Sequence, residues 1–339
     1  MRSGITCGKF MPFHKGHELM IDFAAAVLDH VVVMVAGKET DTVPLSLRYK
    51  WVAETYKGNP KVSVISFHDD ITYVGEPDAD GTIHDPIFWE KWVEAFRKAA
   101  PDATHFFSSD MYGKVAAEKL GIEWLPVDPD REMVHISGTK IRQQTTRNFD
   151  YLTLAAKKDL VKKVVVIGPE STGKSTLTAK LAEHFKTSFA NEWGRTVCLA
   201  KNKLTETDFE NIAVAQQTLI DIAIKNSAGG VVFSDTEAYT TYLFGRLYLN
   251  KNLEAIRQRA INQKFDLYVL LAPTVEWIQD GTRTIDSQIA REKFFNDLYY
   301  FLVKHKKPFV VVDNDNFEDR TNEAIDAVQY LLTKDELMI

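Results

Sequence analysis

Short apolar runs alternate with amphipathic stretches along the 339-residue chain. SGITCGKF near the start reads as a strand, residues 18–28 carry apolar positions at helical spacing, and HVVVMVAG reads as a second strand. A helix is expected around Leu45–Tyr56, then a strand in KVSVISF and a long loop over 69–85. A helix from about Pro86 to Ala99, a strand in ATHFFSSD and a helix in YGKVAAEKLG follow. This alternation predicts a parallel sheet flanked by helices. Beyond HISGTKIRQQ the pattern changes: FDYLTLAAKKDLVKK, 149–163, reads as one helical connector. KKVVVI then opens a second strand–loop–helix series, continued by the strands GGVVFSDTE, FDLYVLLAP and KPFVVVD with helices between them. The expected fold class is therefore α/β in two domains, 1–157 and 158–339, each a parallel sheet flanked by helices.

Composition narrows the function classes. The hydrophobic fraction of 45% and charged fraction of 26% supply a core for each domain. A net charge of −6 gives no overall basic field, so a DNA partner is not expected. The two cysteines, Cys7 and Cys198, lie far apart and form no CxxC pair, which argues against a disulfide scaffold or a zinc cluster. The N-terminus lacks the apolar core of a signal peptide, and the longest apolar runs are too short to span a bilayer. A cytoplasmic protein with no membrane partner is expected. A homo-oligomer stays open.

The strongest single motif is GPESTGKS, which fits G-x-x-x-x-G-K-[ST] with Gly168, Gly173, Lys174 and Ser175. It follows a predicted strand and opens a predicted helix, as a phosphate loop must. The loop from Gly168 through Ser171, Thr172 and Gly173 to Thr176 would turn backbone N–H groups inward. Those donors, the helix end and Lys174 would hold the phosphates of ATP. Ser175 would ligate Mg²⁺. Asp235, ending the strand in GGVVFSDT, could reach Mg²⁺ through water or act as base on an acceptor hydroxyl; the competing reading is that it caps the next helix with Thr236. Glu192 and Arg195 in NEWGR form a second polar cluster, with a surface ion pair as the competing reading. Asp280, Gly281 and Arg283 in DGTR, and Arg291 beyond, suggest an arginine that stabilises a transferring phosphoryl group, against a solvated charge run. No NKxD guanine signature is present, so a small-molecule kinase is favoured.

A second cluster is GKFMPFHKGH, 8–17. His14 and His17 are three apart with no acidic third ligand at motif spacing, which disfavours a metal site. The stretch joins the first strand to the first helix, at the sheet edge where ligands bind. Gly16 lets backbone approach an anion, and imidazoles at the helix start would stabilise charge on a phosphate.

Here the sequence resembles the nucleotidyltransferase superfamily, whose two hallmarks appear as HKGH and ISGTKIR. GKFMPFHKGH, PLSLRYKW, SSDMYG and VDPDREMVHISGTKIR resemble the nicotinamide-mononucleotide (NMN) adenylyltransferases. Together with the phosphate loop, NEWGR, SDTEAYTT and VEWIQDGTR, the whole order resembles the NadR-type bifunctional proteins, which pair that activity with a ribosylnicotinamide kinase. Some members carry an N-terminal helix-turn-helix repressor domain; the HKGH motif starts too early here to leave room for one, and DNA-binding repression is not expected.

The resemblance implies a Rossmann-like first domain that makes NAD⁺ and pyrophosphate from ATP and NMN, and a kinase domain that makes NMN from ribosylnicotinamide and ATP. His14, His17, Lys9 and Phe10 would lie on the ATP side, with Ser137, Gly138, Thr139 and Arg142 gripping its outer phosphates. Mg²⁺ would offset the phosphate charge. Arg48 would take a substrate phosphate. Trp92, with Trp89 on the same helix face, would stack on the pyridinium ring, against a reading as two core tryptophans. In the second domain Asp235 would be base or Mg²⁺ organiser. Glu192, Arg195 and Tyr239 would hold ribosylnicotinamide, Glu192 alternatively sharing the role of base, with Tyr242 and Trp193 as further aromatic candidates against core packing. The rivals are transfer to flavin mononucleotide or pantetheine phosphate, and a nucleotide sensor whose kinase half only binds.

Overall fold

The computed structural model describes residues 2–72, 83, 85–200, 203–277 and 287–335. The chain divides between Asp159 and Leu160 into two compact units. The first holds strands β1 (Ser3–Gly8), β2 (His30–Gly37), β3 (Val62–His68), β4 (His105–Ser108) and β5 (Glu123–Pro126). Its helices are α1 (Lys15–Val27), α2 (Leu45–Tyr56), α3 (Pro86–Ala99), α4 (Tyr112–Leu120), the short α5 (Gly138–Gln143) and α6 (Leu154–Leu160), which runs to the boundary. The strands form one parallel sheet in the order β3-β2-β1-β4-β5. The strand β5, in EWLP, is an addition to the sequence reading: four residues with no apolar run leave no period to detect.

Both faces of this sheet are covered, which is why β2 reads as a continuous apolar run rather than an alternation. Val32, Met34 and Ala36 pack with Ile5 and Cys7 of β1 under Trp89, Trp92 and Phe96 of α3 and Ala116 and Ala117 of α4. On the opposite face Val31, Val33 and Val35 are buried where α1 and α2 meet β2. The direction in which strands are added reverses at β1, because β2 and β3 extend to one side and β4 and β5 to the other. The carboxyl end of β1 is thus the topological switch point, where a parallel sheet opens a crevice for ligands.

The connector expected over 149–163 is not one helix. A short 3₁₀ turn at Phe149–Tyr151 and α6 are separated at Leu152 and Thr153, and Lys162 already belongs to a strand. Tertiary pairing overrides the helical period here: the Thr153 amide donates to the Phe13 carbonyl, and Leu152 bridges antiparallel to His14. The segment is tied to the HKGH turn.

The second unit holds β6 (Lys162–Ile167), β7 (Phe189–Ala190), β8 (Val231–Asp235), β9 (Leu267–Leu271) and β10 (Phe309–Val312) in the parallel order β10-β9-β6-β8-β7. Its helices are α7 (Lys174–His184), α8 (Trp193–Ala200), α9 (Glu206–Asn226), α10 (Ala238–Leu249), α11 (Glu254–Asn262), α12 (Gln288–Lys304) and α13 (Phe317–Asp335). Val164 and Val166 of the central β6 pack with Phe233, Val269 and Val312 against Leu177 and Leu181 of α7 and Ala324 and Val328 of α13. Helices α9, α10 and α12 lie on other elements of the unit, with α9 against β7 and β8 and α12 against β9. Among the described residues no helix is long and apolar enough to cross a membrane.

Candidate active sites

The carboxyl end of β1 opens into a cavity of about 490 Å³. His14 is the N-cap of α1: its Nδ1 accepts from the Gly16 amide at 3.2 Å, while His17 Nδ1 accepts from the His14 amide at 3.4 Å. This reciprocal capping is local and explains the spacing of three. It also sets the tautomers. A ring nitrogen that accepts from an amide carries no proton, so each neutral imidazole keeps its proton on Nε2. Burial lowers the His14 pKa to about 4, with the Arg131 charge adding to the effect. Burial, His14 and Arg131 drive His17 down as well. Two stacked rings, 3.6 Å between centroids, thus stand at a helix start as neutral Nε2–H donors.

The ISGTKIR segment lines the same cavity through Ser137, Gly138, Thr139 and Arg142. Ser137 caps α5 by accepting from the Lys140 amide. Arg142 ties the two motifs together, donating to the Met11 carbonyl and, at 3.1 Å, to Thr139 Oγ1. Gly138 is required by that approach: a Cβ there would lie 2.9 Å from the Met11 oxygen. Lys9, Phe10, Trp89 and Trp92 also line the cavity. Trp89 donates to the Ile83 carbonyl. Trp92 is 8% exposed, and its Nε1 has no partner among the described residues. It is at once a core residue, tilted against Phe96 and Phe67, and a wall of the cavity.

Arg48 is placed elsewhere. It is 0% exposed and does not line the cavity. Its guanidinium donates to the carbonyls of Lys9, Ala36 and Val43 at 2.6, 2.8 and 2.9 Å and pairs with Asp41 at 2.9 Å. Gly37 is the space it fills, since a Cβ there would sit 2.1 Å from the guanidinium. Asp41 also takes Lys9 Nζ at 2.8 Å. Arg48 therefore hangs the end of β1 from the end of β2 instead of meeting a substrate. Asp128 and Arg131 join the cavity wall, Arg131 paired with Asp110 at 3.0 Å. Neither stands out in the sequence alone; both lie in the VDPDREMVH stretch.

In the second unit the loop after β6 takes the phosphate-loop form. Gly168 and Gly173 have φ of 156° and 85°, and Ser171 has 60°. A Cβ on Gly168 would meet the Leu271 carbonyl at 2.8 Å. Lys174 Nζ and Thr172 Oγ1 both donate to the Pro169 carbonyl at 2.9 Å. Thr176 lies in the first turn of α7, beside Gly173 and Phe317. Asp235 is 2% exposed at the end of β8. It does not cap α10; Glu237 does, accepting from the Tyr239 and Thr240 amides. Asp235 Oδ1 is left without a partner among the described residues, and Ser175 bonds the carboxylate.

Burial pushes the Asp235 carboxyl up, against the pull of Lys174, the Ser175 bond and Arg195. Burial also pushes Glu192 up, Lys174 opposes and Asp235 adds repulsion. A hydroxyl and a partnerless buried carboxylate oxygen are hard donors that fit Mg²⁺. Among the described residues no cluster of three or more His, Cys, Asp or Glu offers another metal centre.

A small cavity of about 80 Å³ gathers Glu170, Ser171, Lys174, Glu192 and Arg195 with Phe209, Phe244 and Tyr248. Tyr239 is not on its wall. The ring stacks on Phe301 at 3.7 Å and against Tyr242, which is core packing. Trp193 does not line it either. The apolar wall from α9 and α10 escaped the sequence reading, because nothing in helical spacing says which apolar face borders a cavity. Arg283 lies outside the described residues, as do Asp280 and Gly281.

Residues 5–144 match the family described as cytidylyltransferase-like and residues 163–320 the family described as an AAA domain. The trifunctional NAD biosynthesis/regulator protein NadR of Escherichia coli is 29% identical over 97% of this chain and 83% of its own. A NadR crystal structure in complex with NAD and AMP-PNP aligns with a TM-score of 0.66 and 23% identity, over 98% of this chain and 96% of that one. A second, in complex with NR, aligns at 0.67 and 22% over 97% and 96%. The likeness to those two is one of fold.

Proposed function

We infer that this chain, a homologue of the NadR proteins through both halves, is a two-site enzyme: an NMN adenylyltransferase in the first unit and a ribosylnicotinamide kinase in the second. The observation that carries the reading is the convergence of His14, His17, Ser137, Thr139, Arg142 and Trp92 on one cavity at the switch point of the first unit, together with a phosphate loop in the second.

In the first site an NMN phosphate oxygen attacks the α-phosphorus of ATP in line and pyrophosphate leaves, giving NAD⁺. The Nε2–H groups of His14 and His17 donate to the phosphate oxygens on which charge builds, and need no rearrangement because capping has fixed both rings. Arg142 and the N-terminus of α1 add positive potential for the departing pyrophosphate. Trp92 offers its ring to the pyridinium. Lys9 stands at the mouth, paired with Asp41.

In the second site the 5′-hydroxyl of ribosylnicotinamide attacks the γ-phosphorus of ATP, its proton passes to whichever of the buried carboxylates Asp235 and Glu192 is not holding Mg²⁺, and ADP leaves. Burial raises both carboxyls, which makes the metal-free one the stronger base. Glu192 and Arg195 hold the ribose. Lys174 exchanges the Pro169 carbonyl for phosphate oxygens. Mg²⁺, held by Ser175 and Asp235, would neutralise phosphate charge there.

Purified protein given ATP with NMN, flavin mononucleotide or pantetheine phosphate separates the substrate readings. NAD⁺ and pyrophosphate from the NMN mixture alone are expected; no NAD⁺ there would end the adenylyltransferase assignment. Labelled ATP with ribosylnicotinamide tests the kinase, and ATP binding without transfer would identify a sensor.

A further inference from the structure

Arg320 sits in the first turn of α13, far in sequence from every motif, and is 2% exposed. Its guanidinium donates to the Thr172 carbonyl at 3.0 Å, the Ala272 carbonyl at 2.8 Å, the Asn314 carbonyl and Thr274 Oγ1. These acceptors lie beyond the carboxyl ends of β6, β9 and β10, three neighbouring strands of the sheet. One planar fork therefore fastens three loops, which Ser171 Oγ on the Glu276 carbonyl and Thr274 Oγ1 on the Asn314 carbonyl join only two at a time. Lysine, a point charge with three donors, could not span them.

We propose that Arg320 is the positioning residue of the phosphate loop, acting through the Thr172 carbonyl on the nucleotide bound by the second unit. The peptide bond between Thr172 and Gly173 is planar, so its N–H points opposite to its C=O. Holding the Thr172 oxygen outward fixes the Gly173 N–H inward, and that amide is one of the donors a phosphate loop offers. Thr172 lies between Ser171 and Gly173, both at positive φ, so this stretch needs an outside anchor to keep its shape. The guanidinium stays charged despite its burial. Its hydrogen-bond partners are three carbonyls and a hydroxyl, and Asp313, Asp315 and Glu323 offset its charge, so it acts on the loop through these bonds. Asn316 supports the placement by capping α13, accepting from the Glu318 and Asp319 amides.

The inference rests on the kinase reading of the second unit, and the test keeps the two apart. The full chain and its Arg320→Lys and Arg320→Ala variants are assayed for NMN formation from ribosylnicotinamide, for NAD⁺ formation from NMN, and for AMP-PNP binding by calorimetry. KM for ATP in the kinase reaction is expected to rise about tenfold in Arg320→Lys and further in Arg320→Ala, the size of a lost charge-assisted hydrogen bond. NAD⁺ formation from NMN should be unchanged, and the same weakening should appear in one of two AMP-PNP binding events. If kcat alone fell, in proportion to the folded fraction, Arg320 would be a structural residue only and the proposal would fail. Unchanged KM with unchanged AMP-PNP affinity would also overturn it. A wild-type chain that makes no NMN would refute the kinase reading, while AMP-PNP binding would still decide the role of Arg320.

Discussion

In the first unit the polar groups proposed to meet phosphate are chiefly side chains that line the cavity: two imidazoles, an arginine and two hydroxyls. In the second they are backbone amides of a loop whose shape depends on Gly168, Ser171 and Gly173 at positive φ. Yet both turns are suspended in the same way. Arg48 holds the Lys9 carbonyl at the end of β1, and Arg320 holds the Thr172 carbonyl beyond the end of β6. Each arginine is sealed from water and gives its donors mostly to main-chain oxygens at the carboxyl ends of neighbouring strands. A parallel sheet ends in unpaired carbonyls on this side, and a guanidinium satisfies several at once while stiffening the turn that follows the strand. The contacting chemistry differs between the units, and the anchoring chemistry does not.

The largest effects should separate the two sites. His17→Ala removes a fixed donor and is expected to lower NAD⁺ formation at least about 10²-fold while sparing the kinase. Lys174→Ala should do the reverse on a similar scale. Loss of both activities from either change, in a folded protein, would break the division between the units.

Anchoring comes next. Arg48→Met removes the guanidinium from three interior carbonyls and leaves Asp41 with Lys9 as its remaining ionic partner, which should cost about 3 kcal/mol of first-unit stability. Thermal melts with each activity followed separately would show NAD⁺ formation lost at a lower temperature than kinase activity. If Arg48 instead met a substrate phosphate, KM for NMN or ATP would rise with no change in melting.

Acid should move the units in opposite directions. His14 titrates near 4 in the folded chain and near its ordinary 6.5 when unfolded. Between those values the unfolded state binds the extra proton, so first-unit stability falls as pH drops from about 6.5 to 4, by up to about 3 kcal/mol. Asp235 and Glu192 are raised, so the folded second unit takes up protons first and their cost to its stability diminishes on acidification. Amide exchange of β1 and β6, corrected for intrinsic rates at pH 7 and 5, reports each unit. His14→Asn, which caps without titrating, should abolish the His14 contribution; an unchanged response would contradict it.

The smallest effect is expected at Tyr239. Tyr239→Phe keeps the stack on Phe301 and should change kinase KM for ribosylnicotinamide less than about twofold. A larger change would restore the residue to the binding site.

These contrasts mark what could be read from residue types. HKGH, ISGTKIR and GPESTGKS were legible because a phosphate turn needs glycine, capping groups and donors at fixed local spacing, and the alternating apolar runs disclosed both parallel sheets. Asp235 was legible as the polar end of a buried strand. Arg48 was noticed but assigned to a substrate, and Arg320 was passed over, because their partners are carbonyls brought together only by strand order. That Tyr239 stacks on Phe301 and Tyr242 and does not line the small cavity was not legible for a related reason: helical spacing gives a face but not what lies across it. The break at Leu152 and Thr153 depends on the HKGH turn, some 140 residues earlier.

The central claim, two sites in series in one chain, is tested most directly by supplying ribosylnicotinamide and ATP alone and following products with time. NMN and ADP should appear first, followed by NAD⁺ and pyrophosphate, with NMN accumulating and NAD⁺ absent in His17→Ala. Failure of the wild-type chain to form both NMN and NAD⁺ under conditions where it binds ATP would contradict it.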